Sequence, residues 1–243
     1  LMGQGIWLDS EDLGPNDEVG DILKHGTLTT GFIGLAECLK ALMGVHHGES
    51  ADAQALGLRI VSHLRERADA KGMETGMNFT VIATPAEGLA GRFVRIDRRM
   101  FGNIPGITDR EYYTNSFHVP VYFPISAFNK LRLEAPYHAL TNGGHISYVE
   151  VDGDPLNNLQ AFEDIVKAMK EMGIGYGSIN HPVDRDPVCG FTGIIGDVCP
   201  RCGRHDGEGI PLSVLKKIKG YVNDSRNSDE KNEAQDKIPN IKL

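Results

Sequence analysis

Apolar residues recur at helical spacing from Gly31 to Met43, where Phe32, Leu35, Leu39 and Leu42 share a face and Gly44 closes the run. A second helical pattern runs from Glu49 to Ala70, with Leu56, Ile60 and Leu64 aligned. Asn78 to Ala83 is rich in β-branched and aromatic residues and reads as a strand. A helix-like stretch to Met100 follows, then turn-rich aromatic sequence over 102–125 and a helical segment from Ser126 to Leu140. Residues 1–30 read as loop, with a turn at Gly14-Pro15-Asn16-Asp17.

The clearest alternation comes next. Ser147 to Val151 is a strand, Leu156 to Met172 an amphipathic helix bearing Leu159, Phe162, Ile165, Val166 and Met169, and Ile174 to Asn180 another strand. This βαβ order implies a parallel pair. The whole reads as an α/β domain forming part of a barrel over residues 1–180. Residues 181–210 form a separate knuckle, and 211–243 end in a polar, mixed-charge tail.

Composition narrows the classes of function. The chain has 243 residues, 40% of them hydrophobic, enough for one sizeable core. A net charge of -8 argues against a nucleic-acid partner. No apolar run reaches the ~18 residues of a membrane span, and no signal peptide opens the chain. The opening LMGQGIWLDS lacks an initiator methionine and reads as mid-protein sequence, so a fragment of a longer polypeptide is expected.

Cysteine usage points to a metal. Of four cysteines, Cys189, Cys199 and Cys202 crowd together, while Cys38 stands alone. A secreted disulfide framework would scatter them in pairs, so clustering indicates a metal site in a reducing cytoplasm. Cys199-x-x-Cys202-Gly203 is a tight turn that aims two thiolates at one point, and Cys189-Gly190 is half of a second. Structural zinc wants four ligands, and only three sulfurs are at hand. Asp186 stands where a first cysteine would and offers a carboxylate; His181 and His205 are rivals for the fourth place. Such a small segment would draw its folding free energy from the metal. Cys38, within an apolar helix, reads as a core residue.

Thr84-Pro85-Ala86-Glu87-Gly88 follows a strand and opens a helix. Pro85 suits a first helical turn, and free N–H groups at a helix start attract anions. Glu87 does not fit a bare phosphate site and is expected to turn away, contact ribose or cap the helix. Near the end, Leu212 to Lys219 can be read as a helix that Gly220 caps.

An ordered series of phrases resembles the anaerobic, glycyl-radical ribonucleotide reductase family. They are Leu23 to Thr27 (LKHGT), Gly31 to Glu37 (GFIGLAE), His47-Gly48-Glu49, Thr84 to Gly88 (TPAEG) and Tyr112 to Ser116 (YYTNS). The cysteine knuckle and Lys217 to Val222 (KIKGYV) complete the series. The resemblance covers nearly the whole chain and implies a C-terminal portion of such a reductase, an oxidoreductase of deoxyribonucleotide biosynthesis. It implies a ten-stranded α/β barrel of two half-barrels, a small zinc knuckle and a radical loop. Gly220 corresponds to the radical-bearing glycine. A separate activase, carrying an iron–sulfur cluster and using S-adenosylmethionine, would remove its hydrogen. Glycine suits that role, since its α-carbon radical can flatten without a side chain and its backbone can enter a narrow barrel mouth.

The resemblance further implies a ribonucleoside triphosphate substrate, whose phosphates Thr84, Pro85, Ala86, Glu87 and Gly88 would cradle. Formate is implied as reductant, and a homodimer for the full-length protein. The family's thiyl cysteine lies upstream of anything matched, so this chain alone is expected not to reduce nucleotides. His25, His46 and His47 fall in matching phrases and are expected to make structural hydrogen bonds. The knuckle departs from the family by lacking one of four cysteines, and Asn227 and Lys231 only loosely echo a family phrase after Tyr221. Two alternatives stand beside this reading: a zinc-knuckle protein-interaction module, and another glycyl-radical enzyme, which would normally lack the knuckle.

Overall fold

The computed structural model describes residues 2–23, 26–83, 86, 88–151, 155–181, 183–193, 195, 198–205, 213–218 and 221–224. After the short helix α1 (Gly20–Leu23), strand β1 (Thr27–Gly31) leads to helices α2 (Leu35–Met43) and α3 (Ala51–Thr75). Strand β2 (Asn78–Ala83) and helix α4 (Gly88–Phe101) follow, then helix α5 (Ala127–His138). Strands β3 (Gly144–His145) and β4 (Ser147–Glu150), helix α6 (Leu159–Met172) and strand β5 (Gly177–Asn180) complete this part. Beyond it lie four strands: β6 (Val183–Arg185), β7 (Thr192–Gly193), β8 (Ser213–Ile218) and β9 (Tyr221–Asp224).

The β1-β2-β3 sheet is wholly parallel, as is the β4-β5 pair. Within each of these sheets the parallel strands follow chain order with helices between them, and only Ile146 separates β3 from β4. This is the βαβ arrangement that the sequence pattern predicts for 147–180. The third sheet is antiparallel, in the order β7-β6-β8-β9. None of the three sheets closes into a barrel among the described residues.

Helix ends follow their capping chemistry. Ser50 begins α3 by accepting the backbone N–H groups of Asp52 and Ala53, and Asn158 begins α6 by accepting that of Ala161. Two apolar clusters hold the layers. Leu35 and Leu39 of α2 meet Val61 of α3, Ala83 of β2, Phe117 and Tyr137, the last two stacked with centroids 5.2 Å apart. Val149 and Val151 meet Ala127 and Leu131 of α5 and Ile165, Ala168 and Met169 of α6.

Four expectations need correction. Residues 27–31 are strand, not loop, because β2 offers them a parallel partner over its length. The helix expected from Gly31 starts at Leu35, because Ile33 bridges Asn115 and the N–H groups of Gly34 and Leu35 go to the carbonyls of Thr114 and Ser116. Cys38 is exposed, not core: Leu35, Ala36, Glu37 and Leu39 form the buried face of α2, and position 38 falls on the other side. Residues 213–218 are strand, not helix, since β6 and β9 both pair with them.

Candidate functional site

The cysteine knuckle is built on β6 and β7. Asp184 and Arg185 pair with Gly193 and Thr192, which brings the chain on either side of Asp186 and Cys189 together. Backbone bonds tighten the turn: Asp186 N–H donates to Phe191 O at 2.9 Å, and Gly190 N–H to Asp186 O at 2.9 Å. A second turn closes through Gly203 N–H to Cys199 O at 2.8 Å and Cys199 N–H to Arg204 O at 2.9 Å. Gly190 and Gly203, each directly after a clustered cysteine, have φ of 73° and 72°. A side chain is strained there, so glycine lets each turn fold back and present its sulfur inward.

These turns converge. One ligand atom from each of Asp186, Cys189, Cys199 and Cys202 lies within 4.8 Å of every other. Cys189 Sγ and Cys199 Sγ are 3.6 Å apart, close to the ~3.8 Å that two zinc-bound thiolates at ~2.3 Å would span in a tetrahedron. Cys202 Sγ is 3.1 Å from Asp186 Oδ2. Three sulfurs and a carboxylate oxygen thus fit one tetrahedral cation. His181 and His205, the rival fourth ligands, are not in this group.

The carboxylate of Asp186 is fully buried. Its Oδ1 accepts from Arg204 Nη2 at 2.8 Å and from the Val188 N–H at 2.8 Å. The Arg204 guanidinium foremost, against the cost of burial, holds the carboxyl well below the usual range. Burial opposes ionisation of Cys199, but the N–H groups of Cys202 and Arg201 outweigh it and lower its pKa. The Arg204 N–H favours the Cys202 thiolate, yet Asp186 and burial prevail and push that thiol up to about 12. Neighbouring groups of one sign hold a thiol protonated in this way, and a cation among them would reverse the effect.

The same sheet carries the strands on either side of Gly220 in the sequence. Val183, Asp184 and Arg185 of β6 pair with Leu215, Val214 and Ser213 of β8, and Ile218 of β8 pairs with Tyr221 of β9. Gly220 falls between those two strands and, with Lys219, lies outside the described residues. The knuckle and the strands flanking Gly220 are therefore hydrogen-bonded into one sheet.

Of the expected phosphate loop, Thr84, Pro85 and Glu87 lie outside the described residues. Gly88 opens α4. The Ala86 N–H already donates to Asn115 Oδ1 at 3.0 Å, so it is not free for a phosphate oxygen. Asn115 belongs to a buried segment tied to α2, where Glu37 Oε1 accepts from the N–H and hydroxyl of Thr114. His47 bonds the Phe117 carbonyl through Nε2, and His46 accepts from Gly48 N–H, as expected of structural histidines. His25 lies outside the described residues.

Sequence reading missed a second polar centre, buried between α5 and β4. Glu134 is approached at 3.0 Å on both oxygens by Lys130 Nζ, and accepts from Val119 N–H at 3.0 Å and Ser147 Oγ at 2.8 Å. Lys130 also donates to Tyr148 O, and His138 Nε2 lies 2.9 Å from Ser147 Oγ. The Lys130–Glu134 spacing of four residues on a helix was the available signal, but it reads equally well as a solvated surface pair.

Comparison with known proteins is consistent along the chain. The family model described as anaerobic ribonucleoside-triphosphate reductase matches residues 1–238. The enzyme of that name from Escherichia coli (strain K12) is 39% identical over 218 residues, covering 86% of this chain and 30% of the relative. Its namesake from Enterobacteria phage T4 is 34% identical over 217 residues, covering 86% of this chain and 34% of the relative. The chain thus spans about a third of the length of these curated relatives. A solved anaerobic ribonucleotide reductase superposes with a TM-score of 0.73 at 21% identity, covering 91% of this chain and 35% of that one. The Thermotoga maritima enzyme with dATP bound in its specificity site gives 0.64 at 22% identity, covering 81% and 31%. These two share the fold.

Proposed function

Because the chain belongs to the anaerobic ribonucleoside-triphosphate reductase family, we propose that it supplies the portion of such an enzyme that contains the radical-bearing glycine, a structural metal and a substrate-phosphate loop. The whole enzyme would reduce ribonucleoside triphosphates to 2'-deoxyribonucleoside triphosphates by glycyl and thiyl radical chemistry. The parallel strands β1 to β5 would be part of its ten-stranded barrel. Residues 84–88 would face the triphosphate, with Asn115 fixing the loop through Ala86. Formate would be the reductant, and the full-length protein a cytoplasmic homodimer.

Gly220 is the proposed radical site. A partner activase with an iron–sulfur cluster and S-adenosylmethionine would take one hydrogen atom from its α-carbon. The observation that carries this reading is the shared sheet: of the strands on either side of Gly220, β9 pairs with β8 and β8 with β6, which leads directly into the cysteine cluster. A zinc ion held by Cys189, Cys199, Cys202 and Asp186 would supply no redox chemistry. It would fix the sheet that contains the strands on either side of Gly220.

The test is electron paramagnetic resonance of the chain after anaerobic incubation with a family activase, S-adenosylmethionine and a reductant. A doublet that disappears in Gly220→Ala supports the reading, as does cleavage at Gly220 on exposure to air. No radical, under conditions that activate a full-length relative, would count against it. Turnover of nucleotide by the chain alone is not expected, since the thiyl cysteine is not among its residues.

A further inference from the structure

The geometry points to Arg204 as the residue that makes Asp186 a one-oxygen metal ligand. This inference rests on the reading of Asp186, Cys189, Cys199 and Cys202 as a zinc site, and concerns a residue outside that ligand set.

A free carboxylate near a cation can bind through either oxygen, through both, or swing away. Asp186 has little such freedom. Its Oδ1 is engaged by Arg204 Nη2 and the Val188 N–H, both at 2.8 Å, and its Oδ2 alone faces the sulfurs, 3.1 Å from Cys202 Sγ. Groups behind a ligand commonly orient it and tune its basicity in this way. The arrangement also answers a charge problem. Three thiolates and a carboxylate bring four negative charges to a divalent cation, and the Arg204 guanidinium offsets part of the excess at the ligand that is no thiolate.

Arg204 is placed for this by the turn that carries two of the sulfurs. Its carbonyl accepts the Cys199 N–H at 2.9 Å, so its backbone closes the Cys199–Cys202 turn while its side chain reaches Asp186. The two roles separate: Arg204→Leu keeps the backbone bond and loses only the guanidinium. A cysteine at 186 would have no second acceptor atom for Arg204 to hold. The arginine and the aspartate therefore act as a unit that replaces the missing fourth thiolate.

The experiment compares the full chain with Arg204→Leu, Asp186→Cys and the double variant. Zinc affinity is measured by competition with a chromophoric chelator, and the cobalt-loaded proteins are compared by visible absorption. Arg204→Leu is expected to weaken zinc binding about 10–100-fold and to shift the cobalt ligand-field bands. In the Asp186→Cys background the same change should weaken binding less than about 3-fold and leave the bands in place. Arg204→Lys, which keeps a cation and a donor, should recover part of the loss. Equal affinities and superimposable cobalt spectra for wild type and Arg204→Leu would overturn the inference. So would an equal penalty in both backgrounds, which would make Arg204 a folding residue. Failure of the wild type to bind zinc at all is a distinct result, and removes the metal reading together with the inference.

Discussion

Two fully buried carboxylates, Glu134 and Asp186, sit in opposite environments. Glu134 is surrounded by donors: the Lys130 ammonium, the Val119 N–H and the Ser147 hydroxyl, with His118 Nδ1 3.4 Å away. A buried charge is tolerated when it is paired and hydrogen-bonded, and here the protein supplies both. Asp186 has a cation on one oxygen only; its other oxygen meets the Cys202 thiol, with the sulfurs of Cys189 and Cys199 close by. The difference teaches what each centre is for. A carboxylate ringed by donors welds α5 to β4. A carboxylate ringed by sulfur gathers ligands of one sign around a point that suits a cation.

The comparison can be broken in several places. The largest effect should come from the cysteine cluster: Cys199→Ser or exhaustive chelation should reduce stoichiometric zinc to none and strip hydrogen-exchange protection from β6 and β7, leaving α5 and β4 protected. Loss of protection across both regions would show that they do not stabilise independently. Next, Glu134→Ala leaves the Lys130 charge buried without its partner and should cost about 3–5 kcal/mol in denaturant unfolding. A cost below ~1 kcal/mol would mean that the pair is as weak as one on the surface.

Acid should weaken the Glu134 region first through His138. Burial, with neighbouring His145, lowers its pKa from 6.5 to about 4. The unfolded chain therefore binds the proton more readily than the folded one. The His138 contribution is fully present above pH 6.5 and lost as pH falls towards 4, about 3 kcal/mol in all. Unfolding free energies measured across that window should fall less steeply in His138→Asn; an unchanged slope would remove His138 as the cause. The smallest effect lies far from both centres. Ser50→Ala, which deletes the cap of α3, should cost about 1 kcal/mol without changing zinc content.

The sequence pattern was most informative where one local signal sufficed. The strand at 78–83 and the βαβ unit ending at Asn180 follow from alternation and amphipathic spacing. The grouping of the three cysteines follows from their turns, and that of Asp186 with them from its spacing to Cys189. What escaped depends on partners distant along the chain. Strand β1 exists because of β2, some fifty residues on, and β8 is strand because β6 reaches it. Cys38 looked buried because its neighbours are apolar, yet the helix turns it outward. Nothing in the sequence pattern singles out Arg204; only the folded turn brings its guanidinium to Asp186. The resemblance supplied Gly220, which local sequence would assign to a helix cap.

Zinc K-edge X-ray absorption of the zinc-loaded chain tests the central contrast most directly. The account predicts a four-coordinate ion with three sulfurs at about 2.3 Å and one oxygen at about 2.0–2.2 Å, the oxygen shell disappearing in Asp186→Cys as a fourth sulfur takes its place. A spectrum carrying the multiple-scattering signature of a bound imidazole, with no change in Asp186→Cys, would contradict it and return the fourth position to His181 or His205.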